Sequence, residues 1–236
     1  MERDWGMLLA VASGAMPRLR VYRWVPAAVS LGRFQDEGDV DRDACARLGV
    51  EVVRRPTGGK GLLHGGDLTY AVAMPRPAGA AGGVDAVYEW LAGALIAGLA
   101  RLGVDAAIAR NDGPAGPVCF AGQQGADLRV GDRKLCGSAQ VRHHGAVLQH
   151  GSILLRRLAY DETDVFRPAP GAREDAREDA RAHLRAATVT LEELGAPTDH
   201  RAVADALVEG FASTLDLDFT SRVEPPSTLA LHLPST

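Results

Sequence analysis

The stretch DLRVGDRKLCGSAQVRHHGAVLQHGSILL, residues 127–155, decides the fold of this chain. It predicts two consecutive β-hairpins, because short β-rich runs lie on either side of two reversals. The first reversal falls at residues 131–132 and the second at residues 143–145. A glycine at or beside each reversal supplies the positive φ that a tight turn needs.

Polar and small residues within this ribbon indicate a binding surface. Lys134 lies within the first apolar run, and Gly137 and Ser138 interrupt the second. A glycine inside a strand often marks a place where a ligand approaches the backbone closely. We therefore expect the rest of the chain to face this ribbon.

Length and composition favour one α/β domain. The chain has 236 residues, of which 46% are hydrophobic and 24% charged, and its net charge is −4. The mild acidity argues against a general nucleic-acid binder, and no apolar run approaches the roughly 18 residues of a membrane span. The N-terminus is too acidic for a secretory signal. The odd count of three cysteines without CxxC spacing fits a reducing cytosol, and these are Cys45, Cys119 and Cys136.

Hydrophobic periodicity places helices between groups of strands. We predict helices at 5–15, 40–48, 84–102, 190–194 and 199–215, and strands at 19–24, 50–55, 61–64, 68–73 and 104–110. The charge run at 173–179 indicates a solvated helix or a mobile segment. These elements predict an α/β (α+β) fold with mixed, largely antiparallel sheets and packed helices. We expect one domain over residues 1–220 and a disordered tail at 221–236.

A second glycine-rich segment, RRPTGGKGLLHGGDLTYAVAMP, spans residues 54–75. Strands at 61–64 and 68–73, joined across Gly65-Gly66, predict a hairpin. Its glycines leave backbone N–H groups open to an anion or a carbonyl, and Arg54, Arg55 and Lys60 add positive charge. It is not a nucleotide-binding P-loop, because GK[ST] is absent and a strand follows. A merely flexible hairpin is the alternative.

Cys119 is the strongest candidate for covalent chemistry. It lies in a Pro/Gly-rich loop, residues 111–126, where side chains are exposed and binding residues are common. Reactivity needs a thiolate, and a nearby cation such as Lys134 stabilises one. The alternatives are an inert loop thiol and a solvated lysine at a strand edge. Cys45 and Cys136 lie in apolar runs, which favours burial.

Other catalytic patterns are absent from the sequence. No HxxxH, HExxH or GxSxG occurs, so we expect neither a metal site nor a serine hydrolase elbow. His143 and His144 are interpreted as turn residues. His150 is interpreted as a structural residue that bonds to backbone beside Gly151.

Three motifs in order resemble the superfamily of lipoate ligases, biotin ligases and octanoyltransferases. They are YRWVPAAVSLGRFQ (22–35), RRPTGGKGLLHGGDLTYAV (54–72) and KLCGSAQVRHHGAVLQHGSILL (134–155). PVCF at 117–120 is similar to the loop cysteine of the LipM-type octanoyltransferases. The resemblance implies the catalytic-domain fold of the biotin/lipoate protein ligases. The family's first helix carries an NMALDEA-like segment, whereas WGMLLAVASG (5–14) lacks its acid.

The resemblance implies an acyltransferase that moves an octanoyl group from acyl carrier protein to a lysine of lipoyl domains or of the glycine-cleavage H protein. Cys119 would form a thioester with the acyl group, and Lys134 would stabilise the thiolate, orient the carbonyl or accept a proton. The donor thioester is already activated, so neither ATP nor another cofactor is expected. The site of action would be the cytoplasm.

Twelve further residues are expected to bind the substrate. Leu62 and Leu63 would line an acyl tunnel, and N–H groups around residues 137–138 would hold the oxyanion. The full set is Arg54, Arg55, Gly58, Gly59, Leu62, Leu63, His64, Gly137, Ser138, Ala139, His150 and Gly151.

Three alternative functions stay open at this point. One is an ATP-dependent lipoate-protein ligase that uses the glycine-rich segment and Lys134 to hold an acyl-adenylate. Another is an amidotransferase that moves the octanoyl group between proteins. The third is a non-catalytic module that binds acyl groups or lipoyl domains.

Overall fold

A computed structural model describes residues 1–76, 83–109, 127–168, 171, 173 and 175–220. In this part of the chain the helices are α1 (Glu2–Ala12), α2 (Arg42–Leu48), α3 (Gly83–Arg101), α4 (Glu162–Val165), α5 (Ala176–Ala187) and α6 (His200–Leu215), with a 3₁₀ helix at Glu37–Asp39. The strands are β1 (Arg18–Tyr22), β2 (Ala28–Leu31), β3 (Glu51–Arg54), β4 (Leu62–His64), β5 (Asp67–Pro75), β6 (Ala107–Ile108), β7 (Leu128–Val130), β8 (Arg133–His143) and β9 (Ala146–Leu154).

The larger sheet has six strands in the order β1-β5-β9-β8-β7-β6, and all neighbours are antiparallel. Both predicted hairpins of residues 127–155 are confirmed, and they share β8. Positive φ angles lie at the two reversals, 59° at Gly131, 43° at His144 and 79° at Gly145. Gly137 and Ser138 lie inside β8, and β8 pairs with β9 through both residues.

The smaller sheet has three strands in the order β3-β2-β4, with β2 and β3 parallel and β2 and β4 antiparallel. The predicted hairpin across Gly65-Gly66 is wrong, because β4 and β5 belong to different sheets. The Gly66 carbonyl accepts from the N–H groups of Leu155 and Arg156 instead. The chain therefore passes from one sheet to the other at this point.

The larger sheet is covered on both faces. Residues of β5 alternate between two apolar clusters, as the period of two in a strand requires. Leu68, Tyr70, Val72 and Met74 pack with residues of α3 and α6, whereas Ala71 and Ala73 pack with Met7, Leu8 and Val11 of α1. The α/β fold with mixed, largely antiparallel sheets is confirmed.

Capping residues explain where α2 begins and ends, whereas one predicted helix does not form. Asp41 caps α2 through the N–H of Ala44, and Gly49 ends it with φ 66°. The predicted helix at 190–194 is wrong: a turn forms there, and Gly195 (φ 69°) ends it. No helix in the described part of the chain combines the length and apolar character that a bilayer crossing requires. The expected tail at 221–236 lies outside the described residues, and the single-domain assignment stays a prediction.

Candidate active site

A cavity of about 140 Å³ lies where the two sheets meet. The loop after β3 and strand β4 contribute one side of it, and β8 and β9 contribute the other. Ten of the twelve expected binding residues line it, namely Arg55, Gly58, Gly59, Leu62, His64, Gly137, Ser138, Ala139, His150 and Gly151. Their contact with a substrate stays a prediction.

Arg54 and Leu63 do not line this cavity. The Nη1 atom of Arg54 donates to the carbonyls of Gly32 and Gln35, both at 2.8 Å, so Arg54 anchors the loop after β2. Leu63 packs in the apolar cluster of the smaller sheet, because successive residues of β4 face opposite sides. The expected binding role of both residues stays a prediction.

Lys134 and Asp127 form a buried ion pair beside the cavity. The side chain of Lys134 is 1% exposed, and its Nζ lies 2.7 Å from Oδ2 of Asp127. The other carboxylate oxygen accepts from the Ser138 N–H at 3.2 Å. That N–H therefore bonds to Asp127 here, and the expected oxyanion role of the N–H groups around residues 137–138 stays a prediction.

Cys119 lies outside the described residues, so its distance to Lys134 stays a prediction. The residues on either side of the segment 110–126 are described, and they lie side by side. The Ala109 N–H donates to the Asp127 carbonyl at 2.7 Å, and β6 pairs with β7. Asp127 is thus the first described residue after the segment that carries Cys119. Cys45 and Cys136 are buried in the core, as expected, and neither forms a disulfide with a described residue.

His64 is fixed in orientation between a carboxylate and a hydroxyl. Its Nδ1 lies 2.8 Å from Oδ2 of Asp67, and its Nε2 lies 2.8 Å from Oγ of Ser30. Burial alone would raise the pKa of Asp67, but His64 and hydrogen bonds to the carboxylate hold this pKa below its usual value. Nδ1 therefore donates to the Asp67 carboxylate, and Nε2 is bonded to the Ser30 hydroxyl at the cavity wall.

His150 bonds to side chains and not, as expected, to backbone. Its Nε2 lies 2.6 Å from Oγ1 of Thr57, which precedes the glycine-rich loop, and its Nδ1 lies 3.4 Å from Oδ2 of Asp4. Burial lowers the pKa of His150 although Asp4 opposes this. The neutral ring joins α1, β9 and the loop.

The buried acid of the first helix is Asp4. It lies directly before the segment 5–14, in which no acid occurs, and it accepts from Arg20 at 2.7 Å and from Tyr22 at 2.8 Å. Burial would raise its pKa, but the hydrogen bond with His150 and the charge of Arg20 lower it well below the usual value. Asp4 thus contacts His150 of the cavity wall without lining the cavity itself, and segment 5–14 lacks an acid as its sequence shows.

Arg55 holds the glycine-rich loop in place. Its guanidinium donates to the carbonyls of Ser30 at 2.9 Å, Gly58 at 2.9 Å and Lys60 at 2.7 Å. Gly59 has φ 90°, which only glycine adopts readily. This anchoring contradicts the alternative of a merely flexible hairpin.

Gly151 allows two strands and an aromatic ring to meet below the cavity. A Cβ atom there would lie 2.5 Å from the Gly137 carbonyl oxygen and 2.6 Å from Cε1 of Tyr70. The Tyr70 hydroxyl lies 2.8 Å from Oγ of Ser138, and burial raises the Tyr70 pKa well above its usual value. The phenol thus stays protonated and bonded across the sheet.

Sequence reasoning missed several polar residues of the site, namely Asp4, Ser30, Thr57, Asp67 and Asp127. Two of them had a usable signal in the pattern. Asp127 directly precedes the quoted ribbon's first strand, and Asp67 follows His64 by three residues. Within the described residues no group of three or more His, Cys, Asp or Glu side chains could hold a metal ion.

The sequence of this chain is similar to those of one known protein family and of several named relatives. The family model of the lipoyl protein ligase A/B catalytic domain matches residues 7–212. The octanoyltransferase LipM of Kyrpidia tusciae is 36% identical over 95% of this chain and 84% of its own length. The octanoyltransferase LipM of Symbiobacterium thermophilum is 40% identical over 93% of this chain and 83% of its own.

Solved structures share the fold. A lipoate-protein ligase A crystallised with ATP superposes with a TM-score of 0.71 at 25% identity, over 93% of this chain and 81% of that one. A bipartite lipoate protein ligase of Thermoplasma acidophilum gives a TM-score of 0.75 at 24% identity, over 94% and 82% of the two chains. The chain therefore belongs to the lipoyl protein ligase A/B catalytic domain family, in which octanoyltransferases LipM are its relatives over nearly the whole length.

Proposed function

We propose that this chain is an octanoyltransferase of lipoate biosynthesis that acts in the cytoplasm. It is an acyltransferase, its donor is octanoyl-acyl carrier protein, and its acceptor is a lysine of lipoyl domains or of the glycine-cleavage H protein. The observation that carries this proposal is the similarity to octanoyltransferases over 93–95% of the chain. The cavity between the two sheets supports it, because both glycine-containing motifs line that cavity.

The proposed reaction has two steps. The Cys119 thiolate attacks the carbonyl carbon of the donor thioester, the carbon–sulfur bond to the carrier breaks, and the carrier leaves as its thiol after protonation. The lysine amine of the acceptor then attacks the new thioester, an amide forms, and the Cys119 thiol is released. A covalent relay of this kind divides one transfer into two easier steps.

Lys134 is the proposed cation of this reaction. Its ammonium group lies beside the cavity residue Asp127, next to the end of the segment that carries Cys119. In this position it would stabilise the thiolate or the carbonyl oxygen as negative charge develops. The acyl chain would lie against Leu62, and each buried methylene contributes about 0.8 kcal/mol.

Replacing Cys119 tests the covalent step. We expect Cys119→Ala to form no acyl-enzyme, whereas wild type incubated with octanoyl carrier protein gains the mass of one octanoyl group in intact-mass spectrometry. Cys45→Ala is the matched control, because Cys45 is buried in the core away from the cavity. An octanoyl adduct on Cys119→Ala would show that another residue is the nucleophile.

The donor requirement separates the alternatives. We expect transfer to a lipoyl domain from octanoyl carrier protein without ATP. Transfer only from free octanoate with ATP would identify a ligase. Transfer only from octanoylated H protein would identify an amidotransferase, and tight binding without product would identify a binding module.

A further inference from the structure

A second, larger cleft lies between α2, α4 and α5, outside the candidate active site. Its volume is about 350 Å³, and arginines dominate its lining. Arg177, Arg181 and Arg185 of α5 are spaced four residues apart, so they share one face of that helix. Arg47 of α2 completes the set, and these four residues and the space between them are called the arginine cleft below.

Carboxylates of the chain balance only part of this positive charge, and a backbone hydrogen bond together with the charges of Arg47 and Arg177 lowers the pKa of nearby Asp41. Arg181 donates to Asp161 at 3.0 Å and also to Asp164, which ties α5 to α4. Arg47, Arg177 and Arg185 are exposed, and none of them has a hydrogen bond or ion pair with another described residue. The chain as a whole carries a net charge of −4, so this is a local concentration and not a general basic character.

The arginine cleft adjoins the candidate active site through one layer of side chains. A smaller cavity of about 50 Å³ shares Arg185 with the cleft and adds Arg156, Arg157 and Leu184 to its lining. Leu184 packs against Leu62, which lines the cavity between the two sheets. A partner bound in the cleft would thus be close to the acyl site but not inside it.

We propose that the arginine cleft docks a carboxylate-rich surface of the carrier protein that delivers the octanoyl group. This inference rests on the proposed function. Complementary charge steers association and orients the partner, and exposed Leu48 at the cleft offers an apolar contact beside the charges. We assign the cleft to the donor because its acyl group sits on a long prosthetic arm. An acceptor lysine has a short reach and must dock at the reacting atoms.

Charge reversal of the two exposed arginines of α5 tests the proposal. We expect Arg177→Glu/Arg185→Glu to raise the KM for octanoyl carrier protein at least tenfold at low salt, with kcat unchanged. The difference from wild type should shrink as salt is added, because exposed charges are screened. With octanoyl-N-acetylcysteamine as donor, which lacks the carrier protein, the variant should match wild type.

Two controls keep the result specific. Arg18→Glu/Arg201→Glu makes the same charge change at exposed positions of β1 and α6, and we expect it to leave the KM for the donor unchanged. Arg177→Gln/Arg185→Gln removes the positive charges without adding acids, and we expect it to raise the KM less. A rise in this variant cannot be caused by misfolding that added acids would induce.

Binding of labelled carrier protein without its acyl group, followed by fluorescence anisotropy, is the second measurement. Equal affinity of wild type and Arg177→Glu/Arg185→Glu for the carrier would overturn the docking proposal while leaving octanoyl transfer intact. A rise in the KM for the lipoyl domain alone would also overturn it. Loss of carrier binding together with ATP-dependent transfer would support the cleft and refute the proposed donor reaction.

Discussion

Asp127 holds two residues of β8 at the candidate active site. One of its carboxylate oxygens pairs with Lys134 at 2.7 Å, and the other accepts from the Ser138 N–H at 3.2 Å. Removing one partner of a buried ion pair leaves the other charge uncompensated. Asp127 therefore acts as a positioning residue that keeps the Lys134 ammonium at the cavity.

We predict that Asp127→Asn lowers kcat by about 10- to 100-fold, or roughly 1.4–2.7 kcal/mol of transition-state free energy. The free energy of unfolding should fall by about 3–5 kcal/mol, because Lys134 loses its counter-charge. Asparagine still accepts from Ser138, so the strand itself is retained. Steady-state kinetics over a range of pH should also show an altered profile, which a purely structural residue would not produce.

Asp132→Asn is the control for this prediction. Asp132 lies in the turn before β8, and its side chain is fully exposed at 106%. The same chemical change there should alter neither kcat nor stability. Full activity of Asp127→Asn would contradict the positioning role.

Individual site residues are easier to recognise in the sequence when they lie within a motif than when they meet only in the folded chain. Lys134 and His64 are recognisable because glycines and apolar residues surround them in sequence. Asp4 and His150 are 146 positions apart, and only the packing of α1 on the larger sheet brings them together. No local pattern contains that information.

The crossing of α3 and α6 depends on two glycines. A Cβ atom at Gly210 would lie 2.4 Å from the backbone nitrogen of Gly98 and 2.5 Å from the carbonyl oxygen of Ala94. A Cβ atom at Gly98 would lie 2.9 Å from the carbonyl oxygen of Ala206. The two helix backbones therefore approach each other as closely as glycine permits.

We predict that Gly210→Ala lowers the free energy of unfolding by about 1–3 kcal/mol or more, because the helices must separate. Urea unfolding followed by circular dichroism measures this. Gly93→Ala in α3 is the control, since its Cβ atom would meet only Thr214 Cγ2 at 4.0 Å. Alanine there should raise stability by up to about 1 kcal/mol. A neutral Gly210→Ala would show that this crossing tolerates displacement.

Element prediction succeeds where pairing is local and fails where it is not. The two hairpins of residues 127–155 and the long helix α3 follow from turn glycines and apolar spacing. The strands β4 and β5 are also recognisable, but their partners are not. Short apolar runs across Gly65-Gly66 resemble a hairpin, whereas β4 instead pairs with β2.

The free energy of unfolding of the whole molecule depends on pH through Glu162, which is buried near the smaller sheet. Burial raises its pKa from 4.5 to about 7. Between these values the folded chain holds a proton that the unfolded chain has lost. Stability from this group is therefore present at low pH and is lost as pH rises through 7.

We predict that Glu162→Gln raises the free energy of unfolding relative to wild type at pH 8.5, by about 2–4 kcal/mol. The difference should fall to about 1 kcal/mol or less at pH 5, close to the unfolded-state pKa of 4.5. Urea titrations at both pH values measure it, and Glu178→Gln on the exposed face of α5 is the control for the lost charge. An equal effect of Glu162→Gln at both pH values would exclude titration of Glu162 as its cause.

The layered α/β architecture is predictable from the alternation of helices and strands, but the division into two sheets is not. The cavity exists because the chain changes sheet at Gly65-Gly66, and that step depends on long-range hydrogen bonds to Leu155 and Arg156. The sequence thus points to residues that line the cavity, but it does not predict the arrangement of two sheets that encloses the cavity.

The hydrogen bond between Ala109 and Asp127 affects how well the fold tolerates changes in the segment between them. It closes the stretch that carries the proposed nucleophile at its base, where β6 meets β7. Lengthening a closed loop adds little entropy cost, only about 0.6 kcal/mol per doubling. A change in the length of segment 110–126 should therefore cost little stability, and the pairing of β7 with β8 that holds Lys134 should be retained.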